Sequence, residues 1–409
     1  NSFIIKKVLF ISYDGMTDPL GQSQVLPYLK GLSKEGYEFH LISFEKSDRY
    51  NQNKKLIRSL CDEDNIKWHP QYYSKVGGLK STLKQVKKLK RVSSYLQSKH
   101  GFDIVHCRSY ISALAGLDLK RKHGVKFVFD MRGFWADERV DGKIWSLKSP
   151  IYSRIYKYFK KKEKVFLNKA DYTISLTDNG KNEILSWPST DPKINIKVIP
   201  CCANLELFDK SKISEDTKLN DREKLGIDSN DFILGYIGSI GTWYMLPEML
   251  DYFKELKEAK PNSKFLFVSG EEPSKIIAAA SEKGIDKDHI KLISVLHHEV
   301  PRFISLMDAS IFFIKPSYSK KASSPTKQGE IMAMGVPLIC NANVGDTDLI
   351  VTKYESGIVI DKFDKETFKN NIIDPQDFDS NKISEGAEDY FSLTEGVQRY
   401  LRVYKAVCE

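Results

Sequence analysis

The sequence predicts an α/β protein made of two doubly wound domains, and three observations carry that prediction. Short apolar runs alternate with helix-period segments through the first 200 residues or so, the pattern that threads parallel strands through crossover helices. The alternation stops in a polar, irregular stretch from Pro200 to about Arg222 and then restarts. The chain is 409 residues long, more than one ordinary core organises.

In the first half, residues 7–12 (KVLFIS) read as a buried strand, followed by a glycine-bearing loop and a helix over about 23–34 that Gly36 ends. Strands follow at 39–44, 104–106, 127–129, 172–175 and 196–199, with a helix over 109–123 stopped by Gly124. In the second half the strands are 233–237, 264–269, 290–292, 309–313 and 337–340, with helices over 246–258 and 274–283. Two such domains joined by a hinge predict a ligand cleft between them, at the carboxyl ends of the strands.

Composition removes several classes. Hydrophobic residues are 41% and charged residues 29%, which describes a globular protein. No apolar run approaches the roughly 18–20 residues of a membrane span. Six scattered cysteines, none in C-x-x-C spacing, predict free thiols in a reducing cytoplasm rather than zinc or redox sites. The net charge of +9 is concentrated. Residues 75–100 carry Lys75, Lys80, Lys84, Lys87, Lys88, Lys90, Arg91 and Lys99 with no acid, while Leu79, Leu83, Val86, Leu89, Val92 and Leu96 recur at helical spacing. This basic amphipathic helix reads either as a solvated face packed on the core or as a binder of an anionic membrane surface. Lys160, Lys161, Lys162 and Lys164 form a second basic cluster.

The strongest local signal runs from Ser323 to Pro337. It predicts a short helix with Ser324 as N-cap, Pro325 at the first position, Thr326 and Lys327 in the first turn and Gly335 as the stop. A cation in the first turn opposes the helix dipole, and an anion there would resolve the conflict: free N–H groups plus one ammonium make a phosphate site. Glu330 lies about one turn later on the same face, at a reach that suits two ribose hydroxyls. The alternative is that Lys327 extends into solvent and Glu330 pairs with it. A second signal is Gly238-Ser239-Ile240-Gly241-Thr242 after a strand, where glycines let backbone approach a diphosphate. A third is the loop after the first strand, with Gly21 near the helix start placed for phosphate or sugar. A fourth is Asp130-Met131-Arg132-Gly133-Phe134-Trp135. There Asp130 could position a hydroxyl, Arg132 hold a phosphate and Trp135 offer a flat face to a sugar; equally, Asp130 and Arg132 could pair to order the loop. Arg108 joins the same rim, His106 reads as strand-end packing, and His297-His298 either flank a nucleobase or form a surface pair. Asp346-Thr347-Asp348, Asp286-Lys287-Asp288 and Asp62-Glu63-Asp64 look like Asp-x-Asp metal clips but lie in polar loops without the strand context of such a clip.

Together these loops resemble glycosyltransferase family 4. Val198-Ile199-Pro200-Cys201-Cys202-Ala203-Asn204 to Phe208 is similar to the phrase that precedes the family's hinge, and Glu330 to Pro337 matches its Glu-x-Met-Ala-x-Gly-x-Pro donor motif. The chain departs from the family in three places. Ala322 stands eight positions before Glu330 where relatives carry a second Glu. The Arg and Lys usual after the first strand of the second domain are replaced by the Gly238–Thr242 loop. Asp130 replaces a customary His. The Ser-Pro-Thr-Lys variant looks like that of bacterial surface-polysaccharide transferases.

The resemblance implies a GT-B fold with two Rossmann-like domains facing a central cleft. The expected division is 1–205 for acceptor binding, 206–385 for the nucleotide sugar and a C-terminal helix over 386–409 crossing back to the first domain. It implies that Glu330 binds the donor ribose, and that Gly21, Gly238, Ser239, Gly241, Thr242, Ser324, Thr326 and Lys327 contribute to the donor site. Asp130 and Arg132 are the catalytic candidates and Arg108 and Trp135 the acceptor or sugar contacts. It further implies retaining, metal-independent transfer from a nucleotide diphosphate sugar, without a cofactor, to a glycan or lipid-linked acceptor. The expected setting is cytoplasmic, peripheral at the inner face of the membrane, with no nucleic acid partner. A nucleotide-sugar epimerase and a non-catalytic nucleotide-sugar-binding subunit are the competing readings.

Overall fold

The computed structural model describes residues 6–76 and 78–409; residues 1–5 and Gly77 lie outside it. The chain divides into two compact units. The first comprises Asn1–Pro200, Lys321–Ser323 and Leu393–Glu409; the second comprises Cys201–Lys320 and Ser324–Ser392.

The first unit is built on β1 (Lys6–Ser12), β2 (Tyr37–Lys46), β3 (Lys67–Tyr73), β4 (Ile104–Arg108), β5 (Lys126–Asp130), β6 (Tyr172–Ser175) and β7 (Ile196–Val198). They form one parallel sheet in the order β3-β2-β1-β4-β5-β6-β7. The central strands are apolar on both faces, as a sheet covered by helices on both sides requires: Val8, Leu9, Phe10 and Ile11 are all buried. Strand β3 is an addition to the strands expected from sequence. Its residues (KWHPQYY) are polar and include a proline, which an edge strand tolerates. The helix expected over 23–34 is two helices, Pro19–Gln24 and Leu26–Ser33, each with a proline at its start. The C-terminal helix, Leu393–Cys408, belongs to this unit and buries Val397, Tyr400, Leu401 and Tyr404 along one side.

The second unit holds β8 (Phe232–Ile237), β9 (Ser263–Val268), β10 (Ile290–Ile293), β11 (Ala309–Phe312), β12 (Leu338–Asn341) and β13 (Gly357–Ile360). All pair in parallel, in the order β10-β9-β8-β11-β12-β13. Helix Leu246–Ala259 covers the sheet with Met249, Leu250, Phe253 and Leu256, a spacing that makes one continuous apolar stripe. Burying each such side chain contributes about 1.5–3 kcal/mol. Gly235 in β8 makes room for the Met307 side chain: a Cβ there would lie 2.0 Å from Met307 Sδ. The strand order reverses at β8, so the carboxyl ends of β8 and β11 form the switch point where open α/β sheets bind ligands.

Candidate active site

In the second unit, β8 ends at Ile237 and the chain turns through Gly238 (φ 91°) and Gly241 (φ 53°), left-handed conformations that favour glycine. Ser239, Gly241 and Thr242 are exposed on this loop. The consecutive N–H groups of Ile240 and Gly241 converge on one acceptor, Glu271 Oε1, at 3.1 and 3.4 Å. Glu271 comes from the loop that follows β9, the neighbouring strand. Tyr236, the last but one residue of β8, donates its hydroxyl to the Ser239 carbonyl at 2.7 Å.

Helix Thr326–Ala333 brings its first turn to this loop. Lys327 does not extend into solvent. It is buried and donates to the Ile237 carbonyl at 2.7 Å and to the Tyr236 hydroxyl at 3.0 Å. Its ammonium lies 3.5 Å from the Tyr244 ring centre and 4.1 Å from that of Tyr236, and a Cβ on Gly238 would be 3.5 Å from it. Burial pushes the Lys327 pKa well below that of a free lysine, with the Glu330 carboxylate opposing the shift. Burial likewise raises the Tyr244 hydroxyl above its ordinary range. Glu330 sits 3.0 Å from His297 Nε2, and this hydrogen bond raises the His297 pKa. The helix start differs from expectation by one residue. Helical geometry begins at Thr326, Pro325 is the flanking residue, and Ser324 does not cap it; the Ser324 hydroxyl instead accepts the Cys201 N–H at 3.1 Å.

In the first unit, Arg108, Asp130, Arg132 and His106 gather at the carboxyl ends of β4 and β5, where Ser109 (φ 70°) and Arg132 (φ 53°) hold left-handed backbone, a strained state for non-glycine residues. Asp130 is buried. Its Oδ2 lies 3.1 Å from His106 Nε2 and accepts the Tyr400 hydroxyl at 2.7 Å, while Tyr404 Oη lies 2.7 Å from His106 Nδ1. An anionic carboxylate on Nε2 selects the tautomer with the proton there, leaving Nδ1 to accept from Tyr404. Burial alone would raise the Asp130 pKa, but the His106 hydrogen bond, the Arg132 charge and the Tyr400 hydroxyl together hold it below the usual range. Arg132 approaches Asp130 only to 4.0 Å, and Oδ1 of Asp130 is buried without a hydrogen bond. Arg108 pairs with Asp14 in the loop after β1. His106, read from sequence as packing, is thus the centre of a polar network reaching the C-terminal helix.

Two expected contacts are placed otherwise. Gly21 is required by its own chain, since a Cβ there would lie 2.4 Å from the Gly15 carbonyl oxygen, so its lack of a side chain makes room for backbone rather than for a ligand. Trp135 is packed within an aromatic cluster, edge-on to Trp145 (5.2 Å) and Phe159 (4.9 Å), and the Arg139 guanidinium stands 5.3 Å from its ring centre. Its faces therefore serve packing. His297, read from sequence as a nucleobase neighbour or part of a surface pair, meets Glu330. Glu271 carried no sequence signal. Among the Asp-x-Asp runs, Asp348 accepts the Asn343 and Leu349 N–H groups.

The basic stripe divides. In helix Gly78–His100, Leu89 and Leu96 are buried, but Leu79 (41%), Leu83 (62%) and the preceding Val76 (87%) are exposed beside exposed Lys75, Lys80, Lys84 and Lys87. In the second basic cluster Lys160 is tied to Asp137 (2.8 Å) and Glu163 (2.5 Å). No helix among the described residues is long and apolar enough to cross a membrane.

Residues 217–375 match the family described as glycosyl transferases group 1, and residues 22–207 match glycosyltransferase family 4. No curated protein matches the chain in sequence. Similar solved structures include a glycosyltransferase from Rickettsia africae (16% identity, TM-score 0.72, all of both chains covered). Another is sucrose-phosphate synthase from Thermosynechococcus elongatus (17%, 0.70, 98% of each chain). A third is WaaG, a glycosyltransferase involved in lipopolysaccharide biosynthesis (16%, 0.66, 95% of this chain and 97% of that one). With both halves matched and two parallel Rossmann-like units, the chain belongs to glycosyltransferase family 4, enzymes of GT-B fold that transfer sugar from a nucleotide sugar to a glycan acceptor.

Proposed function

We propose that this enzyme is a retaining, metal-independent transferase that adds a sugar to a glycan or lipid-linked acceptor of a bacterial surface polysaccharide. The observation that carries the reading is the Thr326–Ala333 helix, which sets a buried ammonium against Gly238 and a carboxylate one turn further on. In this reading Lys327 and the Ile240 and Gly241 N–H groups stabilise charge that grows on the departing diphosphate, and Glu330 holds the ribose. Fixed donors of this kind do the work of a cation without a metal. The departing phosphate takes the acceptor proton, so the attack comes from the face it leaves and needs no separate base. No cofactor is required beyond the donor. The second unit is assigned to the donor and the first to the acceptor, with Arg108 and Arg132 as the cations at its strand ends, Arg108 held by Asp14 and Arg132 facing Asp130.

The exposed Leu79 and Leu83 among lysines support a peripheral position on an anionic bilayer, where a lipid-linked acceptor resides. The experiment is turnover of UDP-, GDP- and dTDP-sugars with lipid-linked acceptors in EDTA, with the product anomer read by NMR. Loss of turnover on chelation that manganese or magnesium restores, or an inverted anomer, would sink the mechanism.

A further inference from the structure

We propose that Glu271 is an internal stand-in for a donor phosphate: its carboxylate fills the amide nest of Ile240 and Gly241, and a diphosphate binds by displacing it. The inference rests on the donor reading above and adds a residue that tunes affinity and selectivity. Two consecutive N–H groups following a left-handed glycine make an anion site whatever anion is present. Here the occupant is a side chain from the neighbouring strand's loop, with both bonds on one oxygen, at 3.1 and 3.4 Å, the second beyond the usual range. Glu271 is half-buried, so it has solvent to swing into.

The first unit supplies the contrast. Glu45 also accepts two consecutive N–H groups of a loop after a central strand, those of Met16 (2.8 Å) and Thr17 (3.0 Å). Glu45 is buried and additionally accepts the Thr17 and Ser43 hydroxyls, each at 2.5 Å. Four bonds to both oxygens in a dry site fix that loop permanently. Two bonds to a single oxygen at a half-exposed site do not. The Glu45 carboxylate is a structural clamp, and the Glu271 carboxylate is a removable one.

The chemistry also explains the neighbourhood. Lys327 is within reach of Gly238 but is turned onto Ile237 and the Tyr236 and Tyr244 rings. Displacement of Glu271 by a diphosphate replaces one carboxylate by a group with more charge and more acceptor oxygens, which can engage the nest and the ammonium together. A neutral nucleoside cannot drive that exchange. Glu271 therefore makes the site select for the diphosphate.

The test titrates wild type, Glu271→Ala and Glu271→Gln with UDP, GDP, dTDP, the matching nucleosides and inorganic pyrophosphate by calorimetry. If the nest is occupied most of the time, vacating it raises diphosphate and pyrophosphate affinity by about 3–10-fold in Glu271→Ala and leaves nucleoside affinity unchanged. Glu271→Gln keeps a neutral acceptor for both N–H groups and so preserves the loop; its gain is intermediate. Unchanged or weaker anion binding in both variants, with cooperative melting retained, would overturn the proposal and make Glu271 a loop-ordering residue. Pyrophosphate gain without binding of any nucleoside diphosphate upholds the Glu271 exchange while removing the donor reading.

Discussion

Replacing Lys327 by Met should weaken diphosphate binding while leaving the fold as stable as before or more so. Methionine is unbranched and of similar length, so it fills the space between the Tyr236 and Tyr244 rings. The Tyr236 hydroxyl keeps its bond to the Ser239 carbonyl at 2.7 Å, while the Ile237 carbonyl and the Tyr236 oxygen each lose a donor, at about 1 kcal/mol apiece. Against that loss stands the removal of a buried ammonium, whose desolvation typically makes an apolar replacement neutral or stabilising by about 1–4 kcal/mol. Binding moves the other way: a hydrogen bond to a charged group is worth about 1.5–3 kcal/mol, or roughly 10–150-fold in affinity. The pH dependence carries a second signature. Burial holds the Lys327 pKa well below normal in the free protein, and a bound diphosphate raises it again. Wild-type affinity therefore falls as pH rises through the free-state pKa, with proton uptake on binding, and the Met variant loses that uptake. Calorimetry in buffers of different ionisation heat, with urea unfolding in parallel, reads both quantities. Equal losses for diphosphate and nucleoside, or destabilisation by several kcal/mol, would refute the assignment.

Glu330→Ala should weaken nucleoside diphosphate binding by about 1.5–3 kcal/mol with the fold intact, and the His297 pKa should fall towards its ordinary value, read by NMR titration. Tyr400→Phe removes a 2.7 Å donor from a buried carboxylate and should cost about 1–3 kcal/mol in urea unfolding, with unfolding of the Leu393–Cys408 helix ahead of the sheet in hydrogen exchange. Acid should destabilise the first unit through His40, His69 and His100. Burial and Lys67 depress all three; repulsion from His100 and His69 adds at His40, bringing it to about 4, repulsion from His100 adds at His69, and Lys99 and Lys7 add at His100, with Glu38 partly opposing at His40 and His100. A histidine held neutral in the fold contributes stability that is full above its unfolded pKa and is lost as pH falls from about 6.5 to about 4, here about 1–2 kcal/mol for His40, and His40→Gln should flatten the denaturation midpoint across that window. On anionic vesicles at low salt the wild type should co-sediment, each surface Lys or Arg contributing about 1 kcal/mol, and charge reversal at Lys84, Lys87, Lys88 and Arg91 should abolish binding without lowering the melting temperature much.

What the sequence made legible follows from where its patterns are strong. The central strands are apolar throughout and bracketed by glycines, so β1, β4, β5, β8 and β11 could be placed from residue order alone. The edge strand β3 escaped because an edge is half-solvated and reads as polar loop: KWHPQYY has neither a run nor an alternation; β13 (GIVI) escaped as a run of only four residues. The donor motif from Glu330 to Pro337 located a helix within one residue of its true start because Pro325 and Gly335 punctuate it. Side-chain partners were the illegible layer. Lys327 was expected at a helix start, but its burial under two tyrosines depends on β8 and the 240–245 turn, which are about 90 residues away. Glu271 and His297 meet the site from loops after other strands, and no spacing rule links them to it. Trp135 looked ligand-facing because an aromatic at a strand end is ambiguous until its neighbours Trp145 and Phe159 are known.

The position eight residues before Glu330 shows how one departure constrains another. Ala322 is buried in the first unit's core cluster, and a Cβ on Gly180 would lie only 3.0 Å from its methyl group. A longer side chain there would press on Gly180, and a buried carboxylate without a partner would cost several kcal/mol. The alanine fits this close packing. The loop after β8 likewise lacks cations and offers backbone amides with the Ser239 and Thr242 hydroxyls. In the proposed donor site, recognition thus rests on one carboxylate, Glu330, one buried ammonium, Lys327, and a backbone nest, and the two side chains already have internal partners in the free protein. In such a site every contact with the donor is an exchange rather than an addition, which makes affinity sensitive to the partners being displaced, His297 and Glu271, as much as to the residues that receive the ligand.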